Sequence, residues 1–248
     1  MSSLGERFNQ VQRRIAAAAA KANRDPKTIR LVAVSKHQPA AAMRAAYELG
    51  QRDFGENYVQ EIERKAHELA DLPDLRIHLI GHLQRNKVKV VVPLASAIHT
   101  VDSVELAQEI SKRAAHREMP ASRRFPIAGL APEHRLPLLV EVNVGGELQK
   151  SGCEPSELPA ILDAVESLSN VRLAGLMTVP PFTDDEAESR PFFDQLAALR
   201  SEHGGVPRLP ELSMGMTLDL EYAIAAGATI VRVGTAIFGE RPARGGSH

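Results

Sequence analysis

Two residues in this chain are out of keeping with their neighbours. Leu31 to His37 reads Leu-Val-Ala-Val-Ser-Lys-His, an apolar, β-favouring run that stops at Lys36. Near the other end, Ile230-Val231-Arg232-Val233-Gly234 sets an arginine inside an otherwise apolar strand. A lysine where a buried strand leaves the core is partly desolvated. Desolvation lowers its pKa and frees a neutral amine, which attacks carbonyls and forms Schiff bases. An arginine within a buried strand needs a partner, either a carboxylate such as Glu141 or a ligand atom near the sheet. Two loops add a place for an anion. Ser213-Met214-Gly215-Met216-Thr217 offers hydroxyls, backbone N–H groups and the start of a helix, and Gly234-Thr235 offers a close-approach backbone and another hydroxyl. Together they can cradle a phosphate dianion without a lysine.

Regular elements must position these groups. Ser3 and Glu6 form a capping box for a helix over residues 3–22, with Leu4, Phe8, Val11 and Ile15 at helical spacing. Strands are then predicted over 31–36, 53–57, 77–80, 97–101, 138–144, 171–179, 212–215 and 229–233, each followed by a helical segment. Pro39 starts the second helix, whose inner face is expected to carry Met43, Ala46, Tyr47 and Leu49. Asp184, Asp185 and Glu186 suit the positive end of a helix running to about residue 203. Alternating β and α elements imply a parallel sheet, and eight of them an α/β chain closed as one (β/α)8 TIM-type barrel with an extra N-terminal helix. Lys36, Asn57, His82, Asn143, Met177 with Thr178, Ser213 with Gly215, and Gly234 with Thr235 would all converge on the mouth at the C-terminal strand ends. Loops after strands seven and eight of such barrels frequently hold phosphate. A doubly wound sheet is the alternative, but its Gly-x-Gly-x-x-Gly turn after strand one is absent. No linker divides residues 1–248, so one domain is expected, its barrel at about 28–240. Residues 119–137, with four prolines and three arginines, read as a surface insertion whose Arg123 and Arg124 face solvent.

Composition narrows the partners. A net charge of −1 supplies no field for nucleic acid or an anionic membrane, and 4% aromatics without tryptophan argue against a base-stacking platform. Cys153 is the only cysteine, so no intramolecular disulfide forms and a reducing compartment is expected. It sits in a polar loop with no paired His or Cys motif, which argues against a catalytic thiol. Residues 90–98 are the longest apolar candidate for a membrane segment, and they are short and interrupted by Pro93. A cytoplasmic protein is expected. His78 and His82 are four apart, yet Gly81 and the strand exit oppose a shared metal site. His78 is read as structural and His82 as pocket lining.

A Schiff-base lysine, a phosphate cradle and an inward arginine suggest pyridoxal 5′-phosphate (PLP), with the arginine facing the pyridine nitrogen. An arginine there disfavours protonation of the ring, which makes a weaker electron sink and limits carbanion chemistry. The segments LVAVSKHQP, FGENYVQE, HLIGHLQRNK, GLMTVPP, LSMGMTLDLEYAI and VRVGTAIFGER, in this order and spacing, resemble the small pyridoxal phosphate homeostasis proteins, the YggS or PROSC family. The resemblance implies the barrel of the alanine racemase N-terminal domain, PLP binding without established catalysis, and a role in vitamin B6 and amino-acid homeostasis. It implies Lys36 as the Schiff-base lysine and Arg232 as the pyridine partner. Ser213, Gly215, Gly234 and Thr235 become phosphate-loop residues, and Asn57 lines the pocket. Three departures stand out: Ile77 and Leu79 where the family often has aromatics, Thr217 for a common serine, and a longer 119–137 loop.

The rival reading is a PLP-dependent amino-acid racemase, which needs an acid/base on each face of the cofactor. Lys36 could serve one face. In alanine racemase the other is a tyrosine from a second, C-terminal domain of the partner subunit, and this sequence ends soon after strand eight. Tyr47, Tyr58 and Tyr222 all fall in or beside predicted helices. A Schiff-base aldolase on a phosphosugar would leave Arg232 without a task. The expectation is therefore a monomeric, non-catalytic PLP holder, with other B6 vitamers and PLP-dependent apo-enzymes as its further partners.

Overall fold

The computed structural model describes residues 2–127, 134–147, 149, 151–181, 183 and 185–239. Helix α1 (Leu4–Lys21) starts as its residues require: the Ser3 hydroxyl accepts the Glu6 N–H and the Glu6 carboxylate accepts the Ser3 N–H. Its Phe8, Val11, Ile15 and Ala18 are buried, and the helix lies outside the barrel. The strands are β1 (Arg30–Val34), β2 (Asp53–Glu56), β3 (Arg76–Leu79), β4 (Ala97–Val101), β5 (Leu136–Glu141), β6 (Val171–Met177), β7 (Glu211–Ser213) and β8 (Ile230–Val233). They pair in chain order, all parallel, and β1 pairs with β8 to close the barrel. Helices α2 (Ala40–Glu48), α3 (Val59–Glu68), α4 (Val88–Val91), α5 (Val104–Ala114), α6 (Leu158–Ser167), α7 (Glu186–Glu202), α8 (Gly205–Arg208), α9 (Leu220–Ala225) and α10 (Thr235–Phe238) lie between and after them.

Period-2 alternation gives each strand an inner and an outer face. Outward residues such as Leu31, Ala33, Ile98 and Leu138 join the helices in the main core, while Val32, Ala97, Leu139, Ala174, Met177 and Ile230 fill the barrel itself. None of the described helices is long and apolar enough to cross a membrane.

Four sequence expectations change. Leu49 is 43% exposed and lies beyond the end of α2, just before the left-handed Gly50, so Met43 and Ala46 form the buried face. Strand β5 starts two residues before the expected position and stops at Glu141, which leaves Asn143 outside it. Cys153 is buried: its strand-like bridge to Val142 folds that loop back on the barrel, and burial pushes its thiol up to about 12. The 119–137 segment is no mere surface insertion either. Phe125 and Ile127 are buried in the lower, N-terminal end of the barrel, and the Phe125 ring meets His78 edge-on at 5.0 Å. The Arg123 guanidinium donates to Ala70 O and Leu72 O, both at 2.8 Å, which anchors this plug. Residues 128–133 and Asp184 lie outside the described residues; the Asp185 carboxylate accepts the Ala187 N–H and caps α7.

Candidate functional site

The exits of β1 and β8 and the loop after β7 enclose a cavity of about 190 Å³. Lys36, Arg232, Gly234 and Thr235 line it, together with Val34, Thr183 and the run from Met216 to Asp219. Strand closure explains the convergence: Val32 sits opposite Arg232 and Ala33 opposite Val233, so residues nearly 200 apart in sequence share one wall.

Both neighbours of Lys36 are fixed from below. The fully buried Lys65 donates from Nζ to Ser35 O (2.7 Å), Glu56 Oε1 (2.6 Å) and Glu61 Oε2 (2.6 Å). The Ser35 hydroxyl donates to Glu56 Oε1, and the His37 N–H, in left-handed backbone at φ 64°, donates to Glu61. Lys65 thus finds carboxylates and a carbonyl, as a buried ammonium must. Burial pushes the Glu56 carboxyl above its usual range, whereas the bonds from Lys65 and His37 outweigh burial at Glu61 and hold it below. The turn that presents Lys36 is therefore held on both sides by ionic hydrogen bonds.

Arg232 is buried, and Glu141 is not within ion-pair distance of it among the described residues. Its Nη1 donates to Ser213 Oγ (2.7 Å) and its Nη2 to Thr178 O (2.8 Å); burial pulls its pKa down to about 10. Glu141 acts on it only at longer range. Its Oε2 is buried without a partner, and burial raises its carboxyl to about 7. Below Arg232, a file of polar groups crosses the barrel: Ser213 Oγ to His99 Nδ1, His99 Nε2 to His78 Nδ1, and His78 Nε2 to Asp53 Oδ1, each 3.0 Å. Donor logic orders the protons. Asp53 accepts, so His78 carries its proton on Nε2; His99 must then donate from Nε2 to His78, and the Ser213 hydroxyl donates to His99 while accepting from Arg232. Both imidazoles are neutral, in keeping with burial, which lowers both pKa values. Asp53 also takes two bonds from Arg76 and one from Arg30, and these with His78 overcome burial and hold it far below the carboxylate range.

Of the remaining residues singled out from sequence, Ser213 is one step below the cavity. Its hydroxyl is engaged by Arg232 and His99 rather than directed at a phosphate loop, because it stands on the inner face of β7. Gly215 has φ 90°; a Cβ there would lie 2.5 Å from Ala223 Cβ, and its carbonyl accepts the Arg232 N–H. Asn57 follows β2 at half burial, with its Oδ1 buried and unpartnered. His82 is exposed at the rim, 3.8 Å from Asp102. Met177 is packed inside the barrel. None of these five lines the cavity. The sequence reading missed His99 and Lys65. The first could have been found by the test that found Arg232, a polar side chain inside an apolar strand.

The family model for the alanine racemase N-terminal domain matches residues 7–242. The pyridoxal phosphate homeostasis protein of Pseudomonas aeruginosa is 46% identical over 241 residues, which cover 97% of each chain. The chain belongs to the pyridoxal phosphate homeostasis protein family. The bovine family member is 38% identical across 96% of this chain and 87% of its own. PipY of Synechococcus elongatus, solved with PLP bound, superposes with a TM-score of 0.75 at 37% identity, covering 96% of this chain and all of that one. The alanine racemase of Corynebacterium glutamicum, at 15% identity and a TM-score of 0.62, shares the fold, the match covering 99% of this chain and 63% of that one.

Proposed function

We propose that this protein holds PLP on Lys36 and serves vitamin B6 homeostasis as a carrier rather than as an enzyme. The observation that carries the reading is the meeting of Lys36, Arg232, Gly234 and Thr235 in one cavity. The residues fit the group: Lys36 supplies the amine for its aldehyde, Arg232 a donor for its ring nitrogen, and the Met216–Thr217 and Gly234–Thr235 backbones the phosphate contacts. Arg232 lines the cavity as a buried guanidinium bonded to a hydroxyl and a carbonyl but to no carboxylate, which suits it to a ligand acceptor. When bound, PLP supplies an electrophilic carbon and a conjugated ring.

The protein's own groups work toward retention. Arg232 is already tied to Ser213 and Thr178, so it presents a fixed guanidinium and no transferable proton near neutral pH. No tyrosine lines the cavity: Tyr47 donates to Asp74, Tyr58 is exposed beside His37, and Tyr222 packs against the core. A two-base racemisation with Lys36 on one face therefore finds no tyrosine as its second base at the site. In this reading the protein acts as a cytoplasmic monomer, accepts other B6 vitamers and passes PLP to apo-enzymes.

Protein loaded with PLP and freed of excess by dialysis should retain an absorbance band to the long-wavelength side of the protein's own. Borohydride should lock that band onto the peptide containing Lys36. K36A should lose the covalent adduct and keep weak, reversible binding. An adduct at the same peptide in K36A would refute the assignment, and sustained Lys36-dependent racemisation of an L-amino acid would refute the carrier role.

A further inference from the structure

The lower end of the barrel has a cavity of its own, about 630 Å³, which the function proposed above does not use. Arg24, Lys27, Arg30 and Arg200 line it, and Glu211 is the carboxylate on its wall. Glu211 accepts from the Thr229 hydroxyl. Arg24 donates to Ile224 O at 2.9 Å, and among the described residues neither Arg24 nor Arg200 has a carboxylate in ion-pair range. Both guanidiniums line the same cavity, and the charge of Arg200 adds to burial in lowering Arg24. Arg30 spends one nitrogen on Asp53 and one on Pro126 O, while its Nε is buried with no acceptor.

Half-buried guanidiniums that line one cavity without an ion-paired carboxylate repel each other and forgo the bidentate bonds their geometry favours. An orphaned, buried Nε adds the cost of an unmade hydrogen bond. An anion held between Arg24 and Arg200 removes the repulsion. Arg30 already has Asp53 for counter-charge, so three cationic groups, Arg24, Lys27 and Arg200, face the one wall carboxylate; that excess calls for a multiply charged ligand, and arginine forks match phosphate oxygens in pairs. The volume falls within the range of small-molecule sites. We propose that this cavity is a second binding site, taking a small phosphate-bearing anion at Arg24, Lys27, Arg30 and Arg200.

Inorganic pyrophosphate is the probe. Calorimetric titration of the full chain, preloaded with PLP so that the upper cavity is filled, should show saturable binding that weakens as salt is raised. R24Q/R200Q should weaken it at least tenfold while leaving the PLP absorbance band unchanged. K27Q, which alters an exposed lysine and leaves the core untouched, should weaken it several-fold and serves if the double variant does not fold. In K36A, whose upper cavity is open, pyrophosphate binding at the lower site should persist and should be lost on adding R24Q/R200Q, whether or not Lys36 holds PLP. Absence of saturable binding, or undiminished affinity in R24Q/R200Q or, if that variant fails to fold, in K27Q, would overturn the proposal.

Discussion

The file of polar groups inside the barrel ends in a buried charge at each end, and the two ends are treated differently. Asp53, at the bottom, is surrounded by Arg76, Arg30 and His78 and has its charge fully matched. Arg232, at the top, is more completely buried than most arginines, yet it has a hydroxyl and a carbonyl for partners and only a distant Glu141 for counter-charge. A matched buried charge is a finished piece of structure. An under-compensated one, lining a cavity, is a group whose remaining interactions come from what enters the cavity. The difference separates the stabilising end of the file from the ligand-facing end.

Substitutions at the two ends should therefore behave oppositely. Asp53→Asn leaves two arginines facing a neutral amide and should cost about 3 kcal/mol in urea unfolding. A cost below about 1 kcal/mol would break the comparison. Arg232→Met removes a buried charge with no adjacent carboxylate and leaves the Thr178 carbonyl unpaired while the Ser213 hydroxyl keeps its bond to His99, so the two effects offset and the net change in stability should stay within about 1 kcal/mol. PLP retention, followed by dialysis, should fall at least tenfold. Equal losses of stability at both positions would show that Arg232 is structural after all.

A third test lies between the ends and is read through pH. His78 and His99 have folded pKa values below that of an unfolded histidine, so between that folded value and about 6.5 the unfolded chain binds protons that the folded chain refuses. Stability should fall as pH drops through this interval, by up to about 1.4 kcal/mol per pH unit for each histidine. Glu141, raised to about 7, acts with the opposite sign, since its folded form keeps a proton the unfolded chain has lost. Asp53 adds nothing here: its contribution is complete above the unfolded carboxylate value and is lost only at lower pH. His99→Gln should flatten the histidine part of the slope, measured as the difference from the parent protein so that Glu141 cancels. An unchanged slope would place the protons elsewhere.

The barrel was legible because its signals are local. Each strand is a short apolar run with a polar exit, and Lys36 and Arg232 stand out against such runs. What stayed hidden depends on the partner a side chain meets. Ser213 belongs to a three-residue strand, too short to show which face is inward, and only the paired neighbours turn its hydroxyl to Arg232 and His99. Histidine is ordinary enough in a strand that His99 raised no alarm. Phe125 and Ile127 were obscured by the prolines and arginines around them, which describe how the segment travels rather than where it ends.

Pairing of β1 with β8 has a consequence for assembly. Lys36 follows the barrel's first strand and Arg232 lies on its eighth, so the upper cavity joins parts of the barrel that are synthesised first and last among its strands. No partial chain that lacks β8 contains it. Closing a contact across some 200 residues is among the slowest kinds of step in folding, so binding competence should appear last, after most of the helical signal has already formed.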